Sequence, residues 1–520
     1  MCCAMNKIIC ILFILVGLET YSQVPSIIWE KSFGGSASDS PVLSDCLIKT
    51  SDNGYIISGY SESFDGDITG NDGDEARDIW VVKTNSTGDI QWQKTFGGGG
   101  QQNSYSIIQT SDGGYVLAGS TNFDEVTGDY GLTDFWVIKI NSLGILQWQK
   151  SFGGSADEEA YNIKQTTDGG YIVVGYTASV GSGDVTTNNG GFDFWVVKLN
   201  SLGNLQWQKC LGGTGFDVAN SVSLTSDGGY IVAGSTESND NDVTGNHGDR
   251  DCWVVKLNSL GVIQWKKAYG GTLKDYTHSI IQTSDSGYVL AGGSRSNNGD
   301  VTGNHGSDDV WIVKINATGT IQWQKALGGT DRDNANSIKQ TIDGGYLIGG
   351  TAKSTNGNVT GNHGNFDCWI VKISSTGALQ WQKSLGGSND DQAFCTLETS
   401  SGEYIMVGNT YSNNGNITEN NGDSDFWLVK LSSNSLDTAS FDTNKVSIYP
   451  NPASNFIYIK SNNDDIKYFE YDIIDLTGRT ILNDYIVNNE ISIETLSSGN
   501  YILQLKSEQG IITTTKFTKK

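Results

Sequence analysis

Two tryptophan series run through this chain at a spacing of about 58 residues, a period in the range of propellers, solenoids and arrays. One is Trp29, Trp92, Trp148, Trp207, Trp265, Trp323, Trp381; the other is Trp80, Trp136, Trp195, Trp253, Trp311, Trp369, Trp427. Together they account for all 14 Trp of the chain. A sequence built this way folds as repeated copies of one supersecondary unit, each burying its apolar faces against its neighbours.

Each unit reads as four short strands. In the second they are "SIIQTSDG", "GYVLAGST", "DFWVIKIN" and "ILQWQKSFGG". Runs of this kind, bounded by Gly, Asn, Asp and Ser, are strand signals, and Asp112-Gly113 suits a tight hairpin turn. Four such strands make one propeller blade. The seventh unit stops at "DFWLVKL" (425–431) without an outer strand, and the missing strand stands alone near the start as "SIIWEKSFGG" (26–35). Exchange of that strand closes a ring and removes the free edges that an open solenoid would expose. The expectation is an all-β protein: a seven-bladed β-propeller over residues 23–431, its last blade completed by the N-terminal strand. The repeated Tyr55, Tyr115, Tyr171, Tyr230, Tyr288, Tyr346 and Tyr404, and Gly59, Gly119 and Gly175, read as packing and close-approach positions.

The net charge is −25. That sign repels nucleic acid and anionic membranes and suits cations, neutral glycans or basic proteins. Lys7 followed by "IICILFILVG" (8–17) reads as a signal peptide over 1–22, and no later stretch is apolar for long enough to form a membrane helix. Of eight Cys, Cys2, Cys3 and Cys10 fall in that leader. Cys46, Cys210, Cys252, Cys368 and Cys395 show no metal-ligand spacing. Cys46 and Cys395 occupy equivalent inner-strand positions in the first and seventh units, so a disulfide across the closure is an open alternative, subject to its Cα separation.

A polar linker (432–444) leads to a tail (445–520) of alternating apolar strands separated by turn residues, which predicts a small C-terminal β-sandwich. The tail carries Tyr449-Pro450-Asn451-Pro452, then Asp475, Gly478 and Arg479 in a D-x-x-G-R pattern, then Ser498 to Tyr501 and a basic end. In these motifs it resembles the type A C-terminal sorting domain of the type IX (Por) secretion system of Bacteroidetes. The resemblance implies Sec export, engagement of the type IX machinery, and release or attachment at the outer cell surface. Asp437-Thr438-Ala439 also matches the short O-glycosylation motif of such bacteria, and equally a chance tripeptide in a polar linker.

The chemistry-bearing positions divide into recurring and irregular ones. Asp78, Asp134, Asp193, Asp251, Asp309, Asp367 and Asp425 all stand two before the second Trp. Asp242, Asn246, Asp300 and Asn304 belong to the loops that lead into it. Seven copies of a loop suit side-chain turns that cap backbone N–H groups. The second reading is a Ca²⁺ site drawing on Asp242, Asn246, Asp251, Asp300, Asn304 and Asp309, since that ion takes six to eight hard oxygens. His247, His305 and His363 sit in equivalent places on successive units, too far apart to share one zinc. A specific ligand is expected where units depart from their pattern: Glu75 and Arg77 in the first, then Glu158, Glu159, Lys274, His278 and Arg332 after the outer strands. The expected function is glycan or protein binding by an exported surface or extracellular protein. The alternatives are a polysaccharide-active enzyme, which needs two carboxylates flanking one sugar, and a purely structural surface protein.

Overall fold

The computed structural model describes residues 24–43, 45–71, 76–122, 131–433, 446–461, 468–475, 479–486, 488–507 and 512–520. The chain divides into two compact units, Met1–Asn434 and Ser435–Lys520. The described part of the first unit contains no helix and forms seven antiparallel sheets, each pairing its strands mainly in chain order. This is an all-β, propeller-like architecture.

The fifth sheet shows why each piece becomes a strand. Asp275–Gln282 is innermost, followed by Tyr288–Ser294, Asp309–Ile315 and Ile321–Leu327. The two middle strands are buried along their whole length, because both faces are covered and both edges paired; hence their near-continuous Val, Leu and Ile. The outermost strand alternates half-buried and exposed positions. Gly113 shows what the first hairpin demands: its φ is +81° and a Cβ there would meet nothing, so the backbone conformation and not space selects Gly. At Gly119 the reason differs, since a Cβ would overlap the carbonyl oxygen of Asn103 on the inner strand. The inner strands begin earlier than the sequence predicts. Glu158, Glu159 and His278 lie in strands Glu158–Gln165 and Asp275–Gln282, not in loops.

Two interactions join every sheet to the next. The first residue of each inner strand donates its N–H to the carbonyl of the residue three before the Trp of the preceding sheet. Examples are Asp217 to Phe192 (2.6 Å), Asp275 to Arg250 (2.7 Å) and Asp333 to Asp308 (2.6 Å). Across the chain termini, Asp39 donates to Ser424 in the same way at 2.7 Å. The first Trp series packs on the repeat Tyr of the following sheet, with ring centroids 5.2–6.3 Å apart, from Trp92 on Tyr115 to Trp381 on Tyr404. Strand Ile27–Phe33 pairs antiparallel with Asp425–Leu431 as the outer strand of the seventh sheet. From there Trp29 packs on Tyr55 of the first sheet, 6.3 Å away.

A buried lysine locks six of the seven sheets from within, and in the seventh the less buried Lys430 pairs with Glu403. Lys314 Nζ reaches Asp285 of the first hairpin (3.0 Å), Gln322 of the outer strand (3.1 Å) and the carbonyl of Ile315 (3.2 Å). Lys83, Lys139, Lys198, Lys256 and Lys372 repeat this, with side chains only 2–4% exposed. A cation so buried is tolerable only when its donors are satisfied. The partner aspartates Asp52, Asp112, Asp168, Asp227 and Asp285 are held at about 2, chiefly by the hydrogen bonds of Lys, Thr and backbone that outweigh their slight burial.

The first sheet breaks the pattern. Its inner strand is split into Asp39–Ser40 and Leu47–Lys49, with nine residues from Asp39 to Leu47 where the second sheet uses six from Gln102 to Ile107. The extra chain brings Asp45 to the inner strands of two other sheets. Asp45 accepts from Asn162 (2.8 Å) and from Lys164 of the third sheet, and from Lys339 of the sixth (2.6 Å). Those two lysines hold its carboxyl far below the usual range despite burial. Cys46 and Cys395 adjoin this cluster in one buried core. Both are free thiols, with Cys395 Sγ directed at the carbonyl of Leu47 (3.7 Å), so the disulfide alternative is not realised.

The second unit packs two sheets on one apolar core. Val446–Tyr449, Phe456–Ser461 and Glu490–Ser492 form one; Thr480–Tyr485, Tyr468–Ile474, Gly499–Ser507 and Ile512–Lys519 form the other. Ile457, Ile473, Ile491, Leu503 and Phe517 lie between them. Asn451 grips the last strand: its Oδ1 accepts from Thr518 N–H (2.9 Å) and its Nδ2 donates to Lys516 O (3.2 Å). Pro450 and Pro452 flank it and Tyr449 stacks on Tyr458 at 5.7 Å. Arg479 pairs with Asp475 at 3.2 Å; Gly478 lies outside the described residues.

Asp45→Ala strands two half-buried ammonium groups on the inner strands. We expect a loss of about 2 kcal/mol or more in chemical denaturation, below the 3–5 kcal/mol of a fully buried pair because both lysines retain some solvent. Replacing Asp89, which pairs with Lys31 in full solvent contact, should change little by comparison.

Candidate functional site

The loops entering the inner strands and the loops before the second Trp series share one face, since Thr133 bridges Asp157 and Arg250 bridges Lys274. On this face opens a cavity of about 600 Å³. Its lining comes from six sheets and is set by positions that differ from unit to unit. Val42 and Leu43 enter from the irregular inner chain of the first sheet, and Tyr105, Tyr161 and Tyr276 present rings from the second, third and fifth.

One carboxylate organises the cationic side. Asp308, its side chain 1% exposed, accepts Arg295 Nε at 2.7 Å and Nη2 at 3.0 Å, and lies 3.3 Å from Arg332 Nε. Arg250 is held by Glu237 through Nε at 3.0 Å. Lys274 is exposed and makes no ion pair among the described residues. Tyr276 donates its hydroxyl to Asn334, and its ring lies 5.1 Å from that of His278. Burial lowers the His278 pKa, which favours the neutral ring; its Nδ1 lies 3.1 Å from the Ala335 carbonyl oxygen.

Of the irregular positions singled out from the sequence, Lys274, His278 and Arg332 line this cavity together. The two glutamates have other surroundings. Glu158 is fully buried and binds Gly154 N–H (2.7 Å), Ser179 N–H (3.0 Å) and Thr177 Oγ1 (2.6 Å). Asp275 and Asp333 do the same work in their own sheets. Glu159 accepts the hydroxyl of Tyr105 at 3.0 Å. Arg77 pairs with Glu62 at 2.7 Å and lies over the ring of Tyr60; Glu75 lies outside the described residues. Arg250, Arg295 and Asp308 were not anticipated, although each departs from its repeat: "DRDCW", "GGSRS" and "SDDVW".

The recurring aspartates act as caps. Asp251 Oδ2 accepts the N–H of His247 (2.9 Å) and lies 2.7 Å from its Nδ1, an arrangement repeated by Asp309 with His305 and Asp367 with His363. Asn246 accepts from Gly248 N–H and donates to the Ser238 carbonyl, both at 3.0 Å; Asn304 is held likewise, between Gly306 and Ser294. Asp242 pairs with Lys266 at 3.1 Å, and Asp300 lies 3.3 Å from Gly270 N. No cluster of three or more His, Cys, Asp or Glu able to hold a metal occurs among the described residues. The caps do leave a residue of strain in charge: Oδ1 of Asp193, Asp251, Asp309, Asp367 and Asp425 is buried without a hydrogen bond. Burial, aided by carboxylates of the adjacent sheet, pushes Asp193 and Asp425 up to about 7.

Residues 447–520 match the family described as the secretion system C-terminal sorting domain. The C-terminal unit is a type IX sorting domain. It directs the chain to the cell surface or the extracellular space. The chain is also similar, more distantly, to several other proteins. The regulatory protein FlaEY of Caulobacter vibrioides is 24% identical over 383 residues, 64% of this chain, and the matched part spans only 39% of that protein. Among solved structures, PorZ, a surface component of the type IX secretion system of Porphyromonas gingivalis, is 11% identical over 93% of this chain and 60% of its own, with a TM-score of 0.38. YCF48 bound to D1 peptide is 10% identical over 78% and 94%, with a TM-score of 0.39. A puromycin hydrolase is 9% identical over 91% and 61%, with a TM-score of 0.44. At such scores the fold is read from the chain's own strand pairing.

Two measurements follow from the aspartate caps. Between about pH 4 and pH 7 the folded chain holds protons on Asp193 and Asp425 that the unfolded chain releases, so this contribution to stability falls as pH rises through that window. Asp193→Asn should flatten that part of the profile by about 2 kcal/mol, read from urea denaturation at pH 5 and pH 8; an unchanged slope would contradict it. Because no cluster of ligating side chains forms among the described residues, we also expect the same melting temperature in EGTA and in excess Ca²⁺. A rise of several degrees with Ca²⁺ would turn the caps into cation sites.

Proposed function

We propose that the first unit is a closed seven-bladed propeller, delivered by the sorting domain, whose loop face binds a glycan or protein ligand without transforming it. The observation that carries this reading is the cavity of about 600 Å³, whose volume falls within the range of ligand sites and whose lining uses the positions where the repeats differ. Identical loops would suit a purely structural ring, whereas Lys274, Arg295, Asp308 and Arg332 are private to their units. Support for binding over hydrolysis comes from the carboxylates. Asp308 is the acidic residue of the lining and is committed to two arginines, and Glu158 is fully buried at the start of its inner strand. Neither is placed to serve as half of a two-carboxylate pair flanking a sugar.

The purified chain on a glycan array, in parallel with a polysaccharide-hydrolysis screen, tests the reading. Saturable binding without release of reducing ends is the expected result. Turnover would make the protein an enzyme, and silence in both assays would leave a structural role.

A further inference from the structure

We propose that the cavity takes an acidic saccharide, its carboxylate or sulfate groups held by Lys274 and Arg332 and its rings lying against Tyr276. This deepens the binding function proposed above and rests on it. The chain as a whole carries a net charge of −25, yet the lining holds four cationic side chains against one carboxylate. Neutralisation is unequal among them. Glu237 satisfies Arg250, and Asp308 is spent mainly on Arg295 through two short bonds. Arg332 has only a longer carboxylate contact through Nε and also meets the Tyr276 hydroxyl, and Lys274 has no carboxylate partner among the described residues. Both are exposed to the cavity, and both stand immediately before the first residue of neighbouring inner strands, Asp275 and Asp333.

The result is a pair of cations on rigid strand ends, with about two positive charges left over in a protein that is otherwise strongly acidic. Such a site is built for an oxyanion: guanidinium and ammonium donors form charge-assisted bonds to carboxylate or sulfate. The remaining lining favours a sugar over a peptide. Tyr161 and Tyr276 offer half-exposed rings, Asn220 and Ser235 offer polar side chains, and the apolar contribution is limited to Val42, Leu43 and Val218. An extended saccharide presents ring faces and hydroxyls at every residue, which suits aromatic and amide contacts; an acidic peptide would need pockets for its side chains.

Titration calorimetry of the purified protein with oligogalacturonate, a sulfated oligosaccharide, a neutral malto-oligosaccharide and poly-glutamate tests the proposal. Binding of one or both acidic saccharides is expected, and which of them binds identifies carboxylate or sulfate as the recognised group. Lys274→Ala and Arg332→Ala should each weaken it by about tenfold or more. Lys94→Ala, on an outer strand away from the cavity, should leave it unchanged. Both cavity variants replace exposed side chains, and unaltered melting curves will separate lost binding from lost fold. Equal binding of the neutral sugar, tight binding of poly-glutamate, or indifference to both substitutions overturns the acidic-saccharide assignment while leaving a binding protein. Failure of these four probes alongside an array hit of other chemistry also overturns it, and silence everywhere removes the binding function as well.

Discussion

The contact of Trp29 with Tyr55 holds the first unit to its form, because it joins the sheet made from the two ends of the repeat region to the sheet that begins it. A single four-stranded sheet of this composition cannot bury both faces of its middle strands. It needs a neighbour on each side, and a row of seven sheets would leave two faces wet. The hydrogen bond from Asp39 N–H to the Ser424 carbonyl and the packing of Phe426 on Trp80, 4.8 Å apart, belong to the same junction. Each aromatic pair contributes only about 0.5–1.5 kcal/mol beyond its burial. Their weight comes from repetition, since every junction uses the same pair and none is left without a partner.

Within that frame the sequence was most readable where the repeat is strict. The Trp, Tyr and Gly series, and the isolated strand at the N-terminus, correspond to inter-sheet contacts, close approaches and the completed seventh sheet. The Asp before each second Trp was legible as a loop cap, and the histidines beside three of them turn out to extend the cap by a ring nitrogen. The repeated lysine was not legible as a core residue. It sits on a strand flanked by Val, and only the sheet brings its ammonium to the hairpin Asp some 30 residues earlier and the outer-strand Gln eight residues later. Length of side chain, invisible to an alternation pattern, makes that reach possible.

The cavity was half legible for a related reason. Glu158 stood out because the other units have Asp or Gln there, but the longer side chain performs the same loop-binding role, so its novelty is chemical and not functional. Arg250, Arg295 and Asp308 escaped notice because the irregular segments after the outer strands drew attention first. In the folded chain the residue three before the second Trp faces the one that follows the second strand, and the two form a cross-strand pair on the loop face. Arg77 with Glu62 and Arg250 with Glu237 are of one polarity, Arg295 with Asp308 is reversed, and Lys353 lies over Phe366.

That pair of positions explains how a set of repeated sheets acquires an asymmetric site. The strands, the buried lysines and the aspartate caps are fixed by packing and cannot vary without loss of a sheet. The cross-strand pair lies beyond the last ladder bond, where Ser294 opposes Asp309, and it is free to change sign or become aromatic as long as its two members suit each other. Reversal in the fifth sheet puts the carboxylate on the third strand, next to the inner strand of the sixth sheet, where it also meets Arg332. One exchange of polarity therefore gathers two cations, Arg295 and Arg332, on one carboxylate, in a lining that also holds Lys274. The fourth sheet, whose pair has the polarity of the first, adds Arg250 and Asn220, while the second and third sheets supply Tyr105 and Tyr161.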